Sequence, residues 1–209
     1  MTDVDAKRFP TVARYLEKHG GRLDRYPDCQ GKGGLLRDVI ETEVFSDVAG
    51  ALPAEVVELL RNPPPVNVWT SEMLMEVAFQ ALGDQHFRSA EEAEQWVFTQ
   101  DLGRFQSRLY RLLMVVMSPE SVLRAASRRW EAFHRGTSLE VEAEKHHAMG
   151  VLRFPEWLYL PDSRINMCGS FRAALTAGGA KNAVVRLVEA TARYAAAFKP
   201  NAAFFEAFG

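Results

Sequence analysis

The chain has 209 residues, 47% of them apolar, with 25 basic and 27 acidic side chains and a formal net charge of −2. That length buries one sizeable core, or one core with a helical lobe attached, and the composition excludes a disordered, collagen-like or disulfide-stapled chain. A near-neutral balance, with an isoelectric point near 6.2, removes the electrostatic footprint of a nucleic-acid binder, and no local basic stripe replaces it.

The first residues, Met1 to Asp5, carry neither a basic n-region nor an apolar h-region, so no secretory leader is expected. The most continuous large-apolar run, Leu112 to Met117, is far short of a bilayer span. A soluble, cytoplasmic protein is expected, and in that compartment the distant Cys29 and Cys168 are expected to be free thiols. Residues 4–19 read as a helix, followed by a breaker zone from Gly20 to Gly34 that holds Gly20, Gly21, Pro27, Gly31, Gly33 and Gly34. Leu36, Val39, Ile40, Val44 and Val48 then recur at helical steps, and Ala54 to Leu60 continues as helix after Pro53. Asn62 to Pro65 is a hard stop, because consecutive prolines lack donors and hold the backbone extended.

Met73, Leu74, Val77, Ala78, Ala81 and Leu82 make a helical stripe that ends at Gly83. Ser89 with Glu92 is a capping-box pair that opens a long helix predicted from about Ala90 to Val116. Ser118 followed by Pro119 restarts a helix that should run to about Arg129, since serine caps orphan amides and proline at the first helical position loses nothing. From Ser138 the period changes to two: Leu139, Val141 and Ala143 alternate with Glu140, Glu142 and Glu144. His147 to Gly150 is the predicted turn and Val151 to Tyr159 the partner strand. A helix from about Ser163 to Ala177 stops at Gly178-Gly179, and strands over about 183–190 and 192–199 form a second hairpin. The predicted class is α+β: a helical N-terminal extension over 1–65, an α+β ligand-binding-like domain over 66–200 ordered helix, helix, hairpin, helix, hairpin around a four-stranded antiparallel sheet, and an apolar tail over 201–209.

The chain has no glycine-rich phosphate loop, nucleophile elbow, paired-cysteine zinc knuckle or His-Glu-x-x-His helix. His146 and His147 are adjacent on a predicted strand and therefore point to opposite faces, which disfavours a shared metal. Glu189 ends a strand with apolar residues on both faces, so it either leaves at the sheet edge in a salt bridge or points inward as a functional group. Trp130, Phe133, Phe154, Trp157, Tyr159, Phe171, Tyr194 and Phe198 concentrate in the last third. They read as core aromatics or as a pocket lining in which Trp130, His134, Trp157 and Tyr159 give both stacking and polar contacts. Arg104, Arg108 and Arg111 share a face of the long helix, either solvated and paired or available for docking.

The stretch from Ser118 to Lys199 resembles the ligand-binding superfamily that unites 4-vinyl reductase domains, haem nitric-oxide-binding proteins and the small TRAPP vesicle-tethering subunits. The likeness is carried by the order of Ser118-Pro119 opening a helix that reaches Trp130, the hairpin through Leu139 and Leu152, Phe171-Arg172-Ala173-Ala174-Leu175, Gly178-Gly179, and Val184 to Glu189. The whole chain, from Gly33-Gly34-Leu35-Leu36, also resembles myxobacterial proteins built on that domain. In the 4-vinyl-reductase type the last hairpin reads Glu-x-x-Cys with a further cysteine, and with an upstream cysteine these hold zinc. Here Glu189 matches and Cys168 lies near the upstream position, but Ala192 stands at the Glu-x-x-Cys cysteine and Ala195, Ala196 and Ala197 follow. Two of the implied ligands are thus absent, and no metal is expected. The Tyr-x-Ser-x-Arg haem signature is also missing, so no cofactor is expected.

What the resemblance implies is a non-enzymatic sensory or regulatory domain that binds a small hydrophobic molecule, with Trp130 and Trp157 stacking, His134 or Tyr159 as polar contact, and Glu189 in the site. The alternative is a homodimeric protein-interaction module with no ligand, whose interface uses Arg104, Arg108 and the terminal Phe204, Phe205 and Phe208. Three phenylalanines in so short a tail must pack on their own domain or on a second copy.

Overall fold

The computed structural model describes residues 4–42, 48–107, 118–143, 147–189 and 202–208. The chain is mixed α+β and divides into two compact units: Met1–Arg88 with Phe133–Gly136 and Trp157–Leu160, and Ser89–Ala132 with Thr137–Glu156 and Pro161–Gly209. The expected boundary at 65/66 falls inside the first unit.

In the first unit, α1 (Pro10–Lys18) opens with proline at its start and buries Val12, Tyr15 and Leu16, the three- and four-residue spacing of an apolar stripe. Its N-cap is Phe9, which has no side-chain acceptor. Asp84 supplies one from elsewhere in the unit, accepting from the Thr11 amide at 2.9 Å and the Val12 amide at 3.3 Å. Next come β1 (Gln30–Lys32), α2 (Gly34–Thr42), α3 (Ala54–Arg61), β2 (Trp69–Ser71) and α4 (Glu72–His86). α4 is the central element. It buries the expected stripe of Met73, Val77, Ala78 and Ala81, and it also buries Glu72, Glu76 and Gln80 on another face.

The N-terminal part is not all helical as expected. β1, β2 and β3 (His134–Arg135) form a three-stranded antiparallel sheet in the order β2-β1-β3, with Lys32 opposite Trp69 and Gly31 opposite both Thr70 and His134. Strands of two or three residues are too short to show alternation, and β1 lies inside the glycine-rich breaker zone. Gly33 and Gly34 have a packing reason: a Cβ on Gly33 would meet the Pro65 carbonyl oxygen at 2.6 Å, and one on Gly34 would meet Val66 Cγ1 at 2.9 Å. The proline run is seated there. Arg37 donates to the Pro63 carbonyl at 2.7 Å and the Pro64 carbonyl at 3.1 Å.

The second unit begins with α5 (Ala90–Gln106), capped as expected by Ser89, whose Oγ accepts the Glu92 amide at 3.2 Å. The helix ends at Gln106 with Ser107 extended (φ −59°, ψ 157°), and does not continue unbroken toward Val116; residues 108–117 lie outside the described residues. α6 (Pro119–Phe133) is capped by Ser118, and α7 (Pro161–Ala177) ends at Gly178 and Gly179, the latter at φ 98°. Between and after them run β4 (Ser138–Ala143), β5 (His147–Arg153), β6 (Val184–Glu189) and β7 (Ala202–Phe208). The sheet is antiparallel throughout, in the order β4-β5-β7-β6.

Three expectations are corrected here. His147 to Gly150 is strand, not turn, with Val141 opposite Gly150. β5 stops at Arg153 rather than reaching Tyr159, since Pro155 has no amide to give to a ladder and Trp157 follows at φ 62°. The segment read as an apolar tail is β7, an inner strand: Phe204 lies opposite Val151 and Val188, Phe205 opposite Gly150 and Leu187, and Phe208 opposite His147 and Val184. The second hairpin strand expected over 192–199 lies outside the described residues.

α5 and α7 pack closely in this unit. Contact is made at Gly169, where an added Cβ would stand 2.5 Å from the Glu94 carbonyl oxygen. Polar groups flank the crossing: Arg172 donates to Glu94 at 3.1 Å and Gln95 at 2.8 Å, its guanidinium lies 4.1 Å from the centre of the Phe98 ring, and Ser170 donates to Asp101 at 2.6 Å. Val122, Leu175, Ala148 and Ala180 centre the core beneath the sheet.

Candidate functional site

In the second unit, α6, α7 and one sheet face line a small, partly open cavity of about 30 Å³. Leu123 and Ala126 come from α6, Phe171 and Leu175 from α7, Leu139 and Val141 from β4, Ala148 and Gly150 from β5, and Val185 from β6. Every lining side chain is apolar. Strand alternation brings Leu139, Val141, Ala148, Gly150 and Val185 to this face, which is why the period-two pattern in β4 was visible in the sequence. The space itself arises because Ala126, Ala148 and Gly150 are small where the neighbouring positions are large.

In the first unit, the notable feature is a buried carboxylate. Glu72 is 6% exposed. Its Oε1 accepts the Tyr159 hydroxyl at 2.9 Å and lies 3.3 Å from His134 Nδ1, while Oε2 has no hydrogen-bond partner. Gly31 sits against that second oxygen: a Cβ there would come within 2.6 Å of it. One step along α4, Glu76 accepts from Gln80 at 2.8 Å. Burying a carboxylate costs several kcal/mol unless polar partners replace water; Glu72 has one hydrogen bond, from Tyr159, and the His134 ring at ion-pair distance, from two segments remote in sequence. Glu72 thus joins all three stretches of chain that build the first unit.

The surroundings are perturbed accordingly. Burial, with Glu76 and Glu72 adding to it, pushes the Tyr15 hydroxyl far above its ordinary range, and Tyr15 donates to the Leu158 carbonyl at 3.2 Å. Burial raises the Cys29 thiol to about 11, with Glu72 and Asp28 contributing, so it stays protonated and unreactive. Cys168, in the second unit, is raised to about 12, by burial first and Glu94 next. Both cysteines are free and buried. Burial lowers His19, against the opposing effect of its bond to the Trp157 carbonyl at 3.1 Å.

Of the residues expected in one site, two come together in the first unit. His134 and Tyr159 meet at Glu72, but Trp157 is 39% exposed with the Lys18 ammonium 4.6 Å from its ring centre. Trp130 belongs to the second unit and donates to Thr137 at 2.9 Å. Glu189 closes β6 opposite Ala203, in register with Leu139 and Leu152 across the sheet. Arg104 is paired with Asp101 at 2.9 Å, and Arg108 lies outside the described residues. Glu72 itself went unread in the sequence, though Glu72, Glu76 and Gln80 at four-residue steps, with only apolar residues between them, were the available signal.

Among the described residues, no group of three or more His, Cys, Asp or Glu side chains is arranged to hold a metal ion, and no helix is long and apolar enough to cross a membrane. Comparison with known proteins adds no assignment: no family model matches the chain, and neither does any curated protein or solved structure.

Proposed function

We propose that this protein is a non-enzymatic sensory or regulatory domain whose second unit binds a small hydrophobic molecule between its sheet and its helices. The observation that carries the reading is the wholly apolar cavity under α6 and α7. The antiparallel sheet and its flanking helices are compatible with the ligand-binding fold implied by the resemblance. The residues that contact the ligand are then Leu123, Ala126, Phe171 and Val185 rather than the Trp130, Trp157 and Glu189 set. An engineered apolar cavity of about 150 Å³ takes up benzene, and this one, at about 30 Å³, is a fifth of that. A ligand therefore enters by displacing Leu123 and Phe171 into other rotamers, and its binding energy must exceed that cost.

The test is thermal unfolding against a panel of aromatic hydrocarbons and medium-chain acyl compounds. A ligand at a hundred times its dissociation constant stabilises by about 2.7 kcal/mol. The shift should disappear in Ala126→Leu and Ala148→Leu, which fill the cavity. A panel that leaves the melting temperature unmoved, or a shift that survives both substitutions, defeats the reading.

A second reading is a homodimeric interaction module. It is favoured by the opposite face of the sheet, where Met149 is 37% exposed and Val184 40%. Sedimentation at tens of micromolar decides it: a dimer that dissociates on Met149→Lys supports this reading, and a monomer removes it.

A further inference from the structure

The outer face of the small sheet in the first unit carries an arrangement that neither reading uses. β1 runs between β2 and β3. From β2, Trp69 stands opposite Lys32, and from β3, Arg135 stands opposite Gln30. The Lys32 ammonium lies 5.3 Å from the centre of the indole and the Arg135 guanidinium carbon 3.9 Å from it. One indole thus gathers two cations, and among the described residues neither is paired with a carboxylate. In a chain with net charge −2, two unneutralised cations held side by side make a local positive site in an otherwise balanced surface.

Exposed apolar residues flank these strands along the chain. Phe133, immediately before β3, is 41% exposed, and Val66 and Val68, in the loop that leads into β2, are 53% and 45% exposed. This loop is held on several sides. The Gly33 amide donates to the Val68 carbonyl at 2.8 Å and the Gly34 amide to the Val66 carbonyl at 3.0 Å. Arg37 clamps the two proline carbonyls before it. Exposed aliphatic side chains on a backbone fixed in this way lose little entropy when a partner covers them.

We infer that this face is a docking surface for an acidic, partly apolar segment of a partner protein. A carboxylate of the segment is received by the Arg135 fork with Lys32 beside it, and aliphatic or aromatic neighbours lie on Phe133 and the two valines. Arg and Trp are the residue types that dominate interface energetics, and a guanidinium stacked on an indole keeps its in-plane donors free for a carboxylate. A single-stranded nucleic acid is a poorer fit: the face of Trp69 on which a base would stack is covered by the guanidinium, and the flanking valines offer aliphatic surface instead of an aromatic platform. This inference rests on the first unit alone and stands apart from the cavity of the second.

The experiment is selection of a displayed random dodecapeptide library on the full chain, followed by fluorescence polarisation of the enriched peptides on purified variants. The expected peptides combine Asp or Glu with aliphatic or aromatic residues. They should lose at least tenfold in affinity on Arg135→Glu, a comparable amount on Lys32→Glu, and several-fold on Val66→Ser, with binding weakened by salt. Unchanged melting temperatures for Lys32→Glu and Val66→Ser separate lost docking from lost folding. The inference is overturned if no peptide enriches, if enriched peptides are not acidic, or if both charge reversals bind them as wild type does. A labelled oligo-uridine that binds the full chain and is released by Arg135→Glu also overturns it, in favour of a nucleic acid.

Discussion

Gly169 and Gly103 both interrupt helices of the second unit, and replacing each by alanine separates local propensity from packing. Glycine to alanine inside a helix is worth about 1 kcal/mol in intrinsic propensity. At Gly103 nothing lies within 4 Å of an added Cβ, so Gly103→Ala should realise that gain and raise the melting temperature by about 2–4 °C for a chain of this size. At Gly169 the same Cβ would lie 2.5 Å from the Glu94 carbonyl oxygen, 3.1 Å from the Phe98 amide nitrogen and 3.3 Å from Val97 Cβ. Two of these three atoms belong to the α5 backbone and cannot turn aside, so the helices must separate. Overpacking of this kind costs about 1–3 kcal/mol. Separation also lengthens the Arg172–Glu94 and Ser170–Asp101 bonds, now 3.1 and 2.6 Å, at about 1.5–3 kcal/mol for each such bond fully lost. Against a gain of about 1 kcal/mol, Gly169→Ala should destabilise by about 2 kcal/mol, lowering the melting temperature by about 4–8 °C. Urea and thermal unfolding of both variants give the comparison directly. A Gly169→Ala protein as stable as Gly103→Ala would show that the helices do not approach this closely.

Glu72→Ala should cost about 2–3 kcal/mol, because it removes the buried side chain that accepts the Tyr159 hydroxyl and lies against His134; Glu72→Gln should cost less than half of that, and chemical denaturation with matched m-values measures both. The lowered pKa of His19 implies that the unfolded chain binds a proton more readily there, so stability falls as pH drops below about 6.5 and is regained above it; in His19→Gln the slope of melting temperature between pH 7 and 5.5 should be shallower than in wild type, and equal slopes would refute the assignment. Cys29 and Cys168, with thiols raised to about 11 and about 12, should resist a thiol reagent at pH 8 in the folded protein and react together once it is unfolded. Trp157 sits at φ 62°, where a bulky residue pays about 1–2 kcal/mol, but its side chain is only 39% exposed, and covering a large apolar side chain contributes about 1.5–3 kcal/mol; in thermal unfolding Trp157→Gly should therefore leave the melting temperature unchanged or lower it slightly.

What the sequence showed well was local. Ser89 with Glu92, Ser118 with Pro119, and Gly178-Gly179 mark helix ends through bonds made within a few residues, and each lies where those bonds are made. The alternation in β4 was legible because one sheet face is apolar and the other bears Glu140 and Glu142. The failures share a cause in distance. β1 pairs with strands some 40 and 100 residues away and offers only three residues of its own, so no periodicity announces it. Phe204, Phe205 and Phe208 looked like a tail because the neighbours that make β7 an inner strand are β5 and β6, and nothing within the segment names them. The turn at Trp157, with φ 62°, likewise carries no local sequence signal.

Glu72 shows why the first unit could not be read from any continuous stretch. The chain leaves that unit after Arg88, returns for Phe133–Gly136, leaves, and returns again for Trp157–Leu160. Each return is only four residues long, too brief to bring a core of its own, and each is anchored by specific atoms. His134 completes the β1 ladder and reaches Glu72; the Gly136 carbonyl accepts weakly from the Cys29 thiol at 3.6 Å; the Trp157 and Leu158 carbonyls accept from His19 and Tyr15; and Tyr159 donates to Glu72. Gly136 fits this scheme for two reasons, since its φ is +73° and a Cβ would stand 2.6 Å from the Asp28 carbonyl oxygen. Two of the polar residues buried in the first unit, His19 and Glu72, costly to a helical lobe standing alone, are therefore groups that hold its returning segments, and the strand that carries His134 also carries Arg135 to Trp69. The buried carboxylate and the pair of cations on Trp69 lie on the inner and outer faces of one small sheet.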